Sequence, residues 1–101
     1  MTPTVDTFPL IAPLRKTEAK NRLGRIEGQV KGLQRMIDED RYCIDFLNQL
    51  SAVQAALSSV GRVILRNYLE NCATQAIRHG EPEDRERVYE ELMDVVYKYI
   101  R

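Results

Sequence analysis

The 101-residue sequence has little of what most catalytic or membrane sites need. It holds a single histidine, His79, so a Cys–His or Ser–His nucleophilic pair has weak support. No glycine-rich phosphate loop follows a strand pattern, and no apolar run is long enough for a membrane span. The formal net charge is zero, which by itself neither favours nor excludes a nucleic-acid partner. The sequence predicts a protein that is neither an enzyme nor a membrane protein.

Proline is also absent from the stretch between Tyr42 and Arg78, whose only glycine is Gly61. Apolar residues recur there three and four apart, which predicts a long central helix: Phe46, Leu50, Val53, Leu57, Val60 and Ile64. The same rhythm predicts a first helix from about Leu14 to Glu39 and a last helix from about Pro82 to Ile100. The expected fold class is all-α, with three helices of which the central one is long.

The ends of these elements carry further signals. Met1–Pro13 contains three prolines and no apolar period, so we predict a disordered arm before one helical domain at residues 14–101. Asp40 is the expected N-cap of the long helix, and Gly80 is the expected left-handed residue at its end. No secretory signal is present, which predicts a cytoplasmic protein.

Both cysteines, Cys43 and Cys72, lie in the long helix, 29 positions apart. At α-helical geometry this spacing puts both sulfurs within about 20° of one face and roughly 43 Å apart along the axis. Within one straight helix they cannot form a disulfide, which needs Cα atoms within about 7 Å. Two chains packed antiparallel would bring Cys43 of one beside Cys72 of the other. The alternative is that both are inert core residues, as buried cysteines usually are.

Charge is unevenly distributed along the chain. Leu14–Met36 has a formal charge of +5 and Glu81–Asp94 of −5, which indicates a surface with one basic side. Gly24, Gly28 and Gly32 lie four apart on the first helix, where each costs about 1 kcal/mol relative to alanine. Their spacing predicts close approach of another backbone, from a helix or from DNA.

Tyr68 precedes Cys72 by one turn. A phenol is a poor ligand for a soft ion such as Cu(I), which prefers thiolates and imidazoles. Two facing thiols suit oxidation or sulfur insertion at least as well as metal binding. We expect Cys43 to be the attacking thiol, because the positive end of a helix favours a thiolate.

Four runs together resemble the copper-sensitive operon repressor (CsoR) family: residues 22–30 (RLGRIEGQV), 42–43 (YC), 49–54 (QLSAVQ) and 90–94 (EELMD). The resemblance covers about Arg15 to Ile100. It implies an antiparallel helical dimer that assembles into a disc-like homotetramer, binds operator DNA and is released by an inducer at cysteines shared between protomers. Copper sensors of the family carry a histidine where this chain has Tyr68.

That departure is similar to the persulfide-sensing branch, the CsoR-like sulfurtransferase repressors (CstR). The resemblance then implies that reactive sulfur species, meaning persulfide or polysulfide, cross-link Cys43 and Cys72 of opposing chains. No cofactor is expected on this interpretation. Two alternatives stay open: a Cu(I) sensor using the same two thiolates, and a helical thiol protein that never binds DNA.

The resemblance also assigns residues around the sensor site and on the DNA surface. Tyr42 and Glu91 match the family's residues that couple the site to the DNA face. Arg22 and Arg62 match its DNA-contacting residues, while Ser59 stands where some members carry another arginine. Charge alone adds weaker DNA-binding candidates: Arg25, Lys31, Arg35 and Arg66.

Overall fold

The structure is a computed structural model that describes residues 11–100, without the side chains of Tyr99 and Ile100. Helix α1 spans Pro13–Asp38, α2 spans Cys43–Asn67, a π-helical segment spans Tyr68–Ala73, α3 spans Thr74–His79 and α4 spans Pro82–Ile100. No strand occurs in the described residues. The three predicted helices are therefore confirmed, with α2, the π segment and α3 forming the central one. The predicted arm lies mostly outside the described residues, and α1 already begins at Pro13.

The chain divides into two compact units, which we call the N-terminal unit (residues 11–65) and the C-terminal unit (residues 66–100). In the N-terminal unit, α1 and α2 form an antiparallel hairpin, because Arg22 hydrogen-bonds Ser59 while Met36 and Asp45 line one cavity. Its buried apolar residues come from both helices: Ala19, Ile26, Met36, Val53 and Val63. Other apolar residues of α1 stay exposed on this chain, among them Leu23, Val30 and Ile37.

The C-terminal unit is built around α3 and the start of α4. Val88 has no exposed surface and packs with Ala73 and Ala76, and Tyr68 covers the edge of this cluster. Small alanines on one side and a β-branched valine on the other let the two helices approach closely. The cluster places α4 next to the turn that carries Cys72.

Two predicted helix ends are wrong in detail. Helix α2 begins at Cys43, and the Tyr42 carbonyl accepts its first hydrogen bond, so Asp40 is not the N-cap. Asp40 instead adopts the left-handed conformation, with φ 54°, in the corner between α1 and α2. Gly80 is extended, with φ −84° and ψ 166°, rather than left-handed. A Cβ at Gly80 would lie 2.5 Å from the Ala76 carbonyl oxygen, so close approach and not a positive φ favours glycine there.

None of the described helices has both the length and the apolar character that a bilayer span requires.

Candidate functional site

Cys43 is the first residue of α2 and is exposed to solvent in the N-terminal unit. Tyr42, directly before it, is 69% exposed. The helix starts here because the Asp40 turn ends the corner and Tyr42 supplies the first carbonyl acceptor. An exposed thiol at a helix N-terminus is accessible to a dissolved reagent and is held by a well-defined backbone.

Cys72 lies in the opposite kind of surroundings. It is buried, with 6% of its surface exposed, inside the π segment of the C-terminal unit. The Tyr68 hydroxyl donates a hydrogen bond of 2.8 Å to the Glu91 carboxylate and approaches the Val88 carbonyl oxygen at 3.4 Å. Tyr68, Glu91 and Cys72, three of the predicted sensor-site residues, are therefore brought together by the packing of α4 on the π segment.

This arrangement favours the protonated, neutral forms of the Cys72 thiol and the Tyr68 phenol. Burial, with the nearby Glu91 charge second, raises the pKa of the Cys72 thiol. Burial also raises the pKa of Tyr68 well above its ordinary value, helped by the hydrogen bond to Glu91 and by the charges of Glu91 and Cys72 and opposed by Arg87. The Tyr68 phenol is thus held neutral, and its hydroxyl proton is engaged in the hydrogen bond to Glu91.

The two cysteines lie in different units. The same-face prediction assumed α-helical geometry at every intervening residue, and this premise is wrong for Tyr68–Ala73. A π-helix bonds residue i to i+5, so each residue turns the chain through a smaller angle. The predicted separation and the pairing between chains stay predictions, as does the coupling role of Tyr42. Within the described part of one chain, no group of three or more histidine, cysteine or carboxylate side chains is gathered for a metal.

Arg22, the first predicted DNA contact, bridges the two helices of the hairpin. Its guanidinium donates one hydrogen bond to the Ser59 hydroxyl and a second, of 3.2 Å, to Glu18. Arg25 and Gln29 join Arg22 and Ser59 around an open cavity of 210 Å³. The cavity presents arginine and amide donors on one wall, a lining suited to an anionic oxygen.

The remaining basic candidates lie at the surface of their own units. Four are exposed in the N-terminal unit: Arg25, Lys31, Arg35 and Arg62. Arg66 belongs to the C-terminal unit and pairs with Glu70 at 3.1 Å. That pair is exposed, so it is a weak interaction that a phosphate can displace.

Sequence reasoning missed three polar residues of the π segment and its flanks. Asn67 is only 1% exposed, and the Asn71 and Thr74 side chains bond to the backbone carbonyls of Asn67 and Leu69. A signal was present: Asn67 continues the seven-residue spacing of Val53 and Val60, so a polar side chain occupies a seam that is otherwise apolar.

Comparison with known proteins agrees with this architecture. Residues 15–98 match the model of the family described as metal-sensitive transcriptional repressor. The copper-sensing transcriptional repressor CsoR of Bacillus subtilis is 45% identical over 86 residues, which is 85% of this chain and 82% of that protein.

Two solved structures share the fold. The copper-sensing repressor CsoR with Cu(I) from Geobacillus thermodenitrificans is 41% identical, with a TM-score of 0.80 over 93% of this chain and 94% of that one. The nickel-responsive transcriptional regulator InrS is 33% identical, with a TM-score of 0.70 over 86% of this chain and 94% of that one.

These relatives are transcriptional repressors or regulators and not enzymes, which confirms the prediction that this chain is not an enzyme. The match covers nearly all of the described helices, and similarity in sequence and in structure agree. The chain belongs to the family of metal-sensitive transcriptional repressors.

Proposed function

We propose that the chain acts in the cytoplasm as an operator-binding repressor whose inducer is Cu(I), held by Cys43 of one chain and Cys72 of another. The observation that carries this proposal is the likeness to a Cu(I)-bound repressor at 41% identity and a TM-score of 0.80. The copper-sensing CsoR of Bacillus subtilis, at 45% identity, supports the same inducer. This replaces reactive sulfur, which the sequence alone favoured, as the leading inducer.

The donors of the proposed Cu(I) site are the sulfurs of Cys43 and Cys72. Cys72 offers a soft sulfur donor, and the neighbouring Tyr68 phenol is bonded to Glu91 and offers none. Thiolates are the ligands that a soft ion such as Cu(I) prefers. The residues present therefore fit Cu(I) through sulfur alone, and the ion would supply a bond between two chains.

A second copy of the chain is part of this proposal. Large apolar side chains remain exposed in the N-terminal unit, among them Leu23, Val30, Ile37, Ile44, Leu47 and Leu57. Three of them, Leu23, Val30 and Ile37, recur every seven residues along α1, a spacing typical of a helix face that packs on another helix. A dimer that covers it, assembled further into a tetramer, is the arrangement we propose for the sensing and DNA-binding form.

For DNA we propose the basic face of the N-terminal unit, with Arg22, Arg25, Lys31 and Arg62 as phosphate contacts. Arg22 is held in place by Ser59 across the hairpin, so its guanidinium is already ordered. Arg66, in the C-terminal unit, is a weaker candidate because Glu70 already pairs with it. Contacts of this kind make affinity fall steeply with salt.

Reactive sulfur is the second candidate inducer, and one observation favours it. Tyr68 stands one turn before Cys72 and is tied to Glu91, so no imidazole assists the thiol. An exposed Cys43 thiolate would break a polysulfide S–S bond, form a Cys43 persulfide and release hydrosulfide. A Cys72 thiolate of another chain would then attack the inner sulfur, expel hydrosulfide and leave a disulfide.

One experiment separates the two inducers. Binding of the protein to DNA from upstream of its own gene is followed by fluorescence anisotropy during titration with Cu(I), buffered by a strong chelator, and separately with metal-free inorganic polysulfide. We expect Cu(I) to release the DNA and both Cys43→Ser and Cys72→Ser to remain bound. Weak Cu(I) binding with unchanged DNA affinity contradicts the copper proposal. Cross-linked dimers in the intact mass spectrum after polysulfide would then establish the second candidate.

The DNA surface has its own matched pair of variants. Arg22→Ala should reduce the slope of log affinity against log salt by about 1, the loss of one phosphate contact. Arg41→Ala, in the corner and paired with Glu39 at 3.9 Å, should leave the slope unchanged. Equal slopes for all three proteins would remove Arg22 from the interface.

A further inference from the structure

The π segment Tyr68–Ala73 is held by side-chain bonds that the proposed function does not use. The Thr74 N–H bonds to the Leu69 carbonyl, five residues back, and the Thr74 hydroxyl donates to the same oxygen at 2.7 Å. The Asn71 amide donates to the Asn67 carbonyl at 3.1 Å and to the Asn67 side-chain oxygen at 3.0 Å. Two carbonyls at the beginning of the segment therefore each accept a bond from a side chain.

The Thr74 bond is specific to the π register. In an α-helix an N–H bonds to the carbonyl four residues back, and a threonine hydroxyl reaches the carbonyl three or four residues back. A hydroxyl that reaches five residues back matches the i to i+5 pattern of a π turn instead. Return to α geometry would move the Thr74 N–H to the Glu70 carbonyl and break the hydroxyl bond to Leu69.

Cys72 is the fifth residue of this segment, and Tyr68 is the first. Because π residues turn the chain through a smaller angle than α residues, the register sets the direction of Cys72 relative to Tyr68. In the π register Cys72 is buried and lies close enough to Tyr68 and Glu91 to interact with their charges. Short π segments in longer helices often occur at functional sites.

We propose that Asn71 and Thr74 are positioning residues for the sensing thiol. Their side-chain bonds hold the π register, and the π register holds Cys72 in its buried place beside Tyr68 and Glu91. This inference rests on the proposed function only in giving Cys72 a sensing role. Neither residue contacts the inducer in this proposal; both act through the backbone.

The test measures thiol reactivity, with Cys43 as a control inside the same molecule. Full-length reduced protein is treated with iodoacetamide, and the ratio of Cys72 to Cys43 alkylation rates is read from peptide mass spectra. Thr74→Val keeps the branched shape and removes the hydroxyl, whereas Thr74→Ser keeps the hydroxyl. We expect Thr74→Val to raise the ratio about three- to tenfold, the change that one lost hydrogen bond of ordinary strength produces, and Thr74→Ser to resemble the unmodified chain.

A second variant, Asn71→Leu, removes the amide donor at similar side-chain size without adding a charge beside Cys72, and should raise the ratio in the same direction. A crystal structure of Thr74→Val should show the N–H of residue 74 bonded to the Glu70 carbonyl. An unchanged ratio in both Thr74→Val and Asn71→Leu overturns the proposal, and so does an equal rise in Thr74→Val and Thr74→Ser. The assay contains neither copper nor DNA, so its failure and a failure of Cu(I) to release the operator are separate results.

Discussion

The two units treat their cysteines in opposite ways. The N-terminal unit exposes Cys43 at the first residue of a helix, on a hairpin whose α1 segment is strongly basic. The C-terminal unit buries Cys72 in a π turn against an acidic helix, and burial, with the charge of Glu91 second, raises the pKa of the thiol. The Cys43 thiol is accessible to solvent and the Cys72 thiol is buried, although both lie in the same run of helical residues.

In the proposed function, this difference would give the two thiols separate tasks. An accessible thiol captures an inducer quickly, because it requires no rearrangement of the fold. A buried thiol responds only if the packing around it adjusts, so its reaction is coupled to the position of α4. If the inducer binds first at Cys43 and then at Cys72, release of the operator depends on both units.

The largest expected effect tests this contrast directly. At neutral pH, with reduced protein and iodoacetamide, Cys43 should be alkylated about tenfold or more faster than Cys72, since burial limits access and the raised pKa lowers the thiolate fraction. Rates measured from pH 7 to 10 should converge as the Cys72 thiolate forms. Equal rates at pH 7 would remove the distinction between the two sites.

The sequence predicts the helices that carry the two cysteines, but it does not predict the surroundings of Cys72. The all-α class and the bounds of α4 followed from apolar spacing, because amphipathic periodicity is a strong local signal. The π turn did not, because apolar spacing carries no sign of the bonds that Thr74 and Asn71 make to particular backbone carbonyls. The Tyr68–Glu91 bond joins residues 23 positions apart, and only the packing of α4 brings them together.

The second prediction concerns open space in the N-terminal unit. An added Cβ would meet nothing within 4 Å at Gly24 or Gly28, so the close approach predicted there is not made by the described residues of the same chain. Gly28→Ala should therefore stabilise α1 by about 1 kcal/mol in urea unfolding at low protein concentration. If the space serves DNA or a second chain, the same variant should weaken operator binding, measured by anisotropy.

Gly80→Ala is the matched control, because a Cβ there would clash with the Ala76 carbonyl and destabilise the C-terminal unit. Stabilisation by Gly28→Ala with unchanged operator affinity and unchanged oligomeric state would show that the glycines of α1 serve no close contact.

The third prediction uses the Tyr68 hydroxyl in the C-terminal unit. Tyr68→Phe should lower the free energy of unfolding by about 0.5–1 kcal/mol at pH 7, through loss of the hydrogen bond to Glu91. Because folding raises the pKa of Tyr68, its contribution is complete below the ordinary phenol value of about 10 and is lost as the pH rises above it. Urea unfolding at pH 7 to 11 should show the two proteins converging at the alkaline end, and a constant difference would contradict this.

The smallest expected effect isolates the charge of Glu91. Glu91→Gln keeps an acceptor for Tyr68 but removes the negative charge, so the pKa of Cys72 should fall and its alkylation at pH 7 should rise about two- to threefold. Glu90→Gln, one residue away on α4, removes the same charge from the chain and should change the rate little. Cys43, in the other unit, should alkylate at the same rate in both variants. If Glu90→Gln raised the Cys72 alkylation rate as much as Glu91→Gln, the overall negative charge of α4, and not the single Glu91 carboxylate, would be slowing the reaction of Cys72.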